Sequence, residues 1–330
     1  MPLVERGCDK MKGFLRIQKR CQDSLVLLTI LLLVIVTIIV EPKFLSLANI
    51  SNIMNQFGPL SFVSLGMTIA IIGGFIDLSV AGIVSFTAVF TISMVDVLGQ
   101  YGAFLAGIAM GALLGLINAA VVISCGALTQ AKAVFITYAL SSAYSALALL
   151  YTNGATQHMS YLESPVTLFK MLGSGKIAFI PVSFILFLIA MAILHIFLTK
   201  TQTGREICLT GANKTAAELS GIRVKRRVAQ IFVLSGVLSA FGAILLFSRI
   251  TTASPLLGAN YETNAILAVV VGGTSLAGGR GNVIRTMLGV MLVTLLSNCL
   301  NLLGVSTYLQ TVCKGIVLII AIWLDRRRIK

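Results

Sequence analysis

Asp77 and Ser79 lie two residues apart in the stretch IIGGFIDLSVAG, Ile71 to Gly82. A carboxylate beside a hydroxyl invites acid–base or acyl-transfer chemistry, but a nucleophilic triad also needs a histidine to carry the proton. The chain has two, His158 and His195, and neither has a place near Ser79 in the sequence. No cysteine or carboxylate cluster joins either histidine at metal-ligand spacing, so no metal site is expected. No Walker A motif of the GxxxxGK[ST] kind occurs, so no nucleotide cofactor is expected on this chain. What remains is non-covalent. An acid at membrane depth costs about 2.5–3.5 kcal/mol and marks a solute or ion path. The simpler use of Asp77 is to cap a helix beginning at Leu78 or Ser79.

The elements that position these residues are set by composition. Of 330 residues, 57% are hydrophobic and 11% charged, against about 25% charged in a soluble domain. Lipid is therefore the expected solvent, and the fold class is an all-α, polytopic membrane bundle. The net charge of +14 is gathered into blocks at 1–23, at 200–227 and at the C-terminus, where Arg326, Arg327, Arg328 and Lys330 stand. Basic blocks flanking apolar spans mark the cytoplasmic side. No basic face interleaved with aromatics appears, so nucleic acid is not an expected partner. The six cysteines have no regular spacing and read as small apolar side chains or cytoplasmic thiols rather than a disulfide framework.

Apolar runs suggest about ten spans, near 24–40, 61–74, 80–98, 103–124, 134–151, 180–199, 228–247, 263–274, 283–303 and 308–324. Residues 1–23 form a basic N-terminus. Residues 24–330 form one membrane domain with a polar loop at 200–227. An even count places both termini and that loop on the cytoplasmic side. Two runs, 61–74 and 263–274, look too short to cross before glycines interrupt them. Gly73, Gly74 and Gly82 align with Gly272, Gly273 and Gly281 at a constant offset of 199. Paired broken helices in two halves point to a translocation path, although such glycines also serve tight packing. Candidate path residues are Gly73, Gly74, Asp77, Ser79, Asn118, Asn264, Gly272, Gly273, Thr274, Gly278, Gly279 and Gly281. Asn118 could bond a solute hydroxyl or a neighbouring helix, and Asn264 stands beside Glu262 at the outer end of its run. Tyr138 and Tyr144 could stack on a ring or contact lipid and core.

The stretch TGREICLTGANKTAAELSGIRVKRR, Thr203 to Arg227, is too charged for lipid. Asn213 suits an N-cap, and Gly221 a stop, for a short helix from Lys214. Ala216, Ala217 and Ser220 would give that helix one small-residue surface.

Gly204, Arg205, Gly211, Asn213, Ala216, Ala217, Glu218, Gly221 and Ile222 follow a pattern that resembles the cytoplasmic coupling loop of ribose-type sugar ABC transporter permeases. AVVVGGTSLAGGRGNV and GFIDLSVAG resemble two further signatures of that family, and the likeness runs from about residue 50 to the C-terminus. The chain departs from the pattern at Phe75 and Ala81, where the family has glycine, at Arg285, and in lacking a proline within TQAKAVFITY. The resemblance implies a permease of the bacterial inner membrane, paired with a second copy or a sister permease. It implies partners too: an ATP-binding subunit that uses ATP and Mg, and a periplasmic solute-binding protein. It implies no enzyme activity in this chain. An ion-coupled secondary transporter of a small polar solute is the alternative, with Asp77 as its one candidate coupling acid.

Overall fold

The computed structural model describes residue 31 and residues 34–326. The block at 1–23, the first part of the 24–40 run, and Arg327, Arg328 and Lys330 lie outside the described residues. After a helical stretch at 34–40 come α1 (Leu47–Ile72), α2 (Val80–Ser93), α3 (Val95–Ser124) and α4 (Gln130–Thr152). Strand β1 (Gln157–His158), α5 (Thr167–Ser174), β2 (Lys176–Ile177), β3 (Ile180–Pro181) and α6 (Val182–Lys200) follow. The chain continues through α7 (Gln202–Ala212), α8 (Lys214–Leu219), α9 (Val224–Ile250) and β4 (Thr252–Ala253). It closes with α10 (Tyr261–Val271), α11 (Val283–Leu302) and α12 (Thr307–Arg326).

Among the described residues, six helices are long and apolar enough to cross a membrane: α1, α3, α4, α6, α9 and α11. The shorter apolar helices are α2, α10 and the Thr307–Trp323 part of α12. The all-α expectation holds, with two two-residue strand pairs as the exception.

Two boundaries differ from those expected. The run at 61–74 is not short: α1 begins at Leu47 and is 26 residues long. Asn49, Asn52, Asn55, Gln56 and Pro59 dilute its hydropathy, yet the helix continues through them; neighbouring elements bond Asn49 and Asn52, while Asn55 Oδ1 and Gln56 Oε1 are buried without a partner. Asn49 and Asn298 of α11 exchange amide hydrogen bonds of 3.1 and 2.8 Å. Asn52 Oδ1 accepts Arg249 Nη2 at 3.2 Å. Further on, the expected run 80–98 divides at Met94, and Gly99 (φ +69°) kinks the start of α3.

α1 and α9 form the centre: their most apolar windows are 89% and 72% buried, against 28% for both α4 and α6. In lipid no hydrophobic force draws helices together, so contact depends on close packing. Gly111 and Gly115 of α3, one turn apart, lie against Gly236 of α9, with the Ala240 methyl beside them. A Cβ on Gly111 would stand 2.6 Å from the Gly236 carbonyl oxygen, and one on Gly115 2.9 Å from Val233 Cα. At one end of the bundle β1 pairs antiparallel with β4, Gln157 opposite Ala253.

Gly236→Val should therefore overpack the α3–α9 crossing, costing about 1–3 kcal/mol. A clear fall in the melting temperature of the detergent-solubilised protein is expected. Gly315→Ala, where an added methyl meets nothing within 4 Å, should leave it unchanged.

Candidate functional site

The two glycine pairs end their helices in the same way. Gly73 closes α1 at φ/ψ −72°/0°, and Gly272 closes α10 at −62°/−7°. Gly74 and Gly273 then turn left-handed, at φ +82° and +85°. In the first break the N–H groups of Gly73, Gly74 and Phe75 bond to the carbonyls of Ile69, Ile71 and Ala70. In the second, Gly272, Gly273 and Thr274 bond to Ala268, Val270 and Val269. Each of these pairs is separated by the 199-residue offset. The equivalence ends there. α2 begins at Val80, with Gly82 inside it against Ser141, whereas Gly281 precedes α11 and faces Ile72 and Thr274. The sequence alignment of Gly82 with Gly281 is thus not a structural one.

The two breaks meet. Gly279 N–H donates to the Ile72 carbonyl at 2.8 Å, so the second break satisfies the last residue of α1. Gly278 and Gly279 are left-handed, at φ +83° and +70°. At the end of α7, Gly211 sits between them. A Cβ there would fall on the Ile72 carbonyl oxygen, 2.8 Å from Gly73 C and 2.9 Å from Gly279 N. α4 reaches both breaks: Thr137 Oγ1 accepts Leu78 N–H at 3.2 Å, and Gln130 Nε2 donates to the Leu276 carbonyl at 2.9 Å.

Asp77 is fully buried just past the first break. Oδ1 accepts the Ser79 N–H at 3.1 Å and the Ser79 hydroxyl; Oδ2 accepts the Ser235 hydroxyl of α9 at 2.7 Å. Ser79 Oγ accepts Asn118 Nδ2 at 2.6 Å, and Asn118 Oδ1 accepts the Tyr144 hydroxyl at 2.8 Å. A buried carboxylate is tolerated when donors surround it. Here the donors also fasten α3, α4 and α9 to the break, which goes beyond capping. Asn118 contacts neighbouring helices, and Tyr144 is a core residue, while Tyr138 is exposed.

The 202–227 segment has an inner and an outer side. Residues Gln202–Ala212, expected as loop, form α7, capped by Thr201. Gly204 lies against the Phe197–Leu198 backbone of α6. Arg227 Nε donates to Glu206 Oε2 at 2.6 Å, joining α7 to α9, and this guanidinium holds the Glu206 carboxyl below the usual range. Asn213 caps α8 by accepting Ala216 N–H at 3.0 Å, and Gly221 ends it at φ +81°. Ala217 is 3% exposed. The expected surface of Ala216, Ala217 and Ser220 is therefore corrected: helical spacing turns Ala217 inward with Ile222. Arg205, Ala216, Glu218, Leu219 and Ser220 stay exposed, Leu219 at 86%.

Comparison with known proteins decides what this junction belongs to. Residues 49–322 match the family described as branched-chain amino acid transport system / permease component. The ribose import permease RbsC of Bacillus subtilis is 40% identical over 310 residues, 91% of this chain and 92% of that one. RbsC of Escherichia coli K12 is 33% identical, covering 93% and 94%. The galactose/methyl galactoside import permease MglC of the same organism is 32% identical, covering 95% and 96%. The chain belongs to this permease family. A solved ABC transporter chain in an inward-facing conformation matches the fold with a TM-score of 0.50 at 16% identity, over 91% of this chain and 99% of that one.

The other candidates of the permease are dispersed. Asn264 is half-buried in the first turn of α10, near Glu262, whose Oε2 is buried without a partner. Thr274 Oγ1 is likewise buried and unpaired in the second break. His158 stacks edge-on to Tyr161 in β1, far in sequence and element from Asp77, and His195 lies in α6. Sequence reasoning missed Ser235, Thr137, Gln130 and Lys214. The run Ser235, Gly236, Ser239, Ala240 in α9 was a readable signal, since small and polar residues at helical spacing mark an interhelical face.

Gly211→Ala should separate α7 from both breaks and abolish uptake, while Gly221→Ala, which meets no atom within 4 Å but has φ +81°, should cost only local strain. Uptake by matched-expression cells compares the two. Asp77→Ala leaves the Ser79 and Ser235 hydroxyls without their acceptor, at about 1–3 kcal/mol for each stranded group. Its expected signature is a lower melting temperature in detergent.

Proposed function

We propose that the chain is the membrane-spanning subunit of an ATP-binding-cassette importer, forming the path for a monosaccharide or related small polar solute. The observation that carries this reading is the two-sided segment α7–α8. Its inner side rests on the junction of both breaks, and its outer side offers Ala216, Leu219 and Ser220 to a partner. The ribose and galactoside import permeases among its relatives support a sugar.

In this reading the 202–222 segment docks on an ATP-binding subunit, which supplies ATP and Mg chemistry that the permease itself does not carry out. A solute-binding protein delivers solute at the opposite end, and a second permease copy or sister chain completes the path. The protein sits in the bacterial inner membrane in ten passes, as a single domain surrounded by lipid. Both termini and the 200–227 segment then face the cytoplasm. Displacement of α7 toward the breaks pushes on both, because Gly211 fills the space between them. The ion-coupled alternative is not favoured: it needs Asp77 open to a cation, and both Asp77 oxygens are already held by Ser79 and Ser235.

The test uses point variants on the outer face, since deleting the segment would also remove Gly211. Ala216→Arg and Leu219→Asp should each reduce co-purification of the ATP-binding subunit at least tenfold, with insertion unchanged. Undiminished co-purification with both variants would remove the docking role.

A further inference from the structure

Lys214, the first residue of α8, turns its side chain toward the body of the permease and is half-buried. Its Nζ donates to the carbonyl of Leu128 in the turn between α3 and α4. The same Nζ lies 3.8 Å from the centroid of the Phe75 ring. A cation over an aromatic face is attracted to the ring's negative quadrupole, more strongly when water is excluded. Burial pushes the Lys214 pKa down to about 8, so the ammonium is still mostly protonated at neutral pH. Phe75 directly follows the two glycines of the first break. It is fully buried, packs on Phe232 of α9 at 5.5 Å, and stands two residues before Asp77.

A glycine at position 75 would give Lys214 no ring to sit on. The pair differs in kind from the Gly211 contact. Two backbones touching at Gly211 resist being pushed together but do not resist being drawn apart. An ammonium held by a carbonyl and a ring resists separation.

We propose that Lys214 and Phe75 form a tether that transmits the outward pull of α8 to the first broken helix, making Lys214 a positioning residue for transport. The proposal rests on the reading that α8 docks an ATP-driven partner. Downward movement of α8 draws Phe75 with it, and Phe75 draws the Asp77 network. Push at Gly211 and pull at Lys214 together make the first break follow α8 in both directions.

The test has two parts. In the first, the full transporter with its solute-binding protein is reconstituted in liposomes, and solute moved per ATP hydrolysed is measured. Lys214→Met and Phe75→Leu should each lower that ratio at least threefold while retaining the ATP-binding subunit. The double variant should be no worse than either single one, and Lys214→Arg should keep the wild-type ratio. A wild-type ratio in Lys214→Met, or additive losses in the double variant, would overturn the tether. In the second part, amide hydrogen exchange is followed on the solubilised full-length permease alone. Exchange at Gly73–Phe75 should accelerate about tenfold in Lys214→Met, and unchanged protection would overturn the proposal whatever co-purifies. Absence of any ATP-binding subunit from the wild-type preparation would instead overturn the importer reading on which coupling depends.

Discussion

A peptide group buried away from water must find its partner within the protein. This constraint governs the junction at the heart of the permease. α1 and α10 each stop at a glycine pair, and each stop returns three N–H groups to the helix it ends. The carbonyls are harder to satisfy, and the Ile72 carbonyl is met by Gly279 from the other half of the chain. That one hydrogen bond satisfies a group of each break. The closeness this demands leaves room for one backbone more, and Gly211 occupies it.

Around that junction the polar residues work as fasteners. Asp77 is ringed by donors from its own turn and from α9, and Ser79 and Asn118 extend the chain of hydrogen bonds to Tyr144. Charge buried with this many donors favours one arrangement of four elements over its neighbours, because any shift strands a donor or the carboxylate. Unpaired buried atoms lie on Thr274 in the second break, on Glu262 near the start of α10, on Thr87 and Thr91 of α2, and also within the centre, on Ser64 of α1 and Ser239 of α9.

Much of this was legible from residue types. The 199-residue offset of the glycine pairs survives to the level of individual hydrogen bonds, because only glycine takes the left-handed turn cheaply. The cap at Asn213 and the stop at Gly221 follow from local chemistry and stand where expected. Long-range information was not legible. α1 looked short because Asn49, Asn52 and Asn55 lower its hydropathy, and only the tertiary partners Asn298 and Arg249 reveal why the helix tolerates two of them. Ala217 looked like surface because a six-residue helix shows no periodicity from which to read its inner side. Phe75 looked like a mere departure, since its partner Lys214 is 139 positions away, a distance no local pattern spans.

The crossing of α3 and α9 carries a mechanical consequence. Where two helices meet through side chains, rotamer changes absorb small relative motions. Gly111, Gly115 and Gly236 leave only the Ala240 methyl at the contact, which has no rotamer to change. The two helices therefore behave as one stiff beam. α9 has 27 residues, a length of about 40 Å at the α-helical rise. Its first turn adjoins the α7–α8 segment, and its last precedes β4 at the opposite end of the bundle. A tilt imposed at one end of α9 would be carried toward the other end of the bundle through a joint of glycine backbones and a single methyl group.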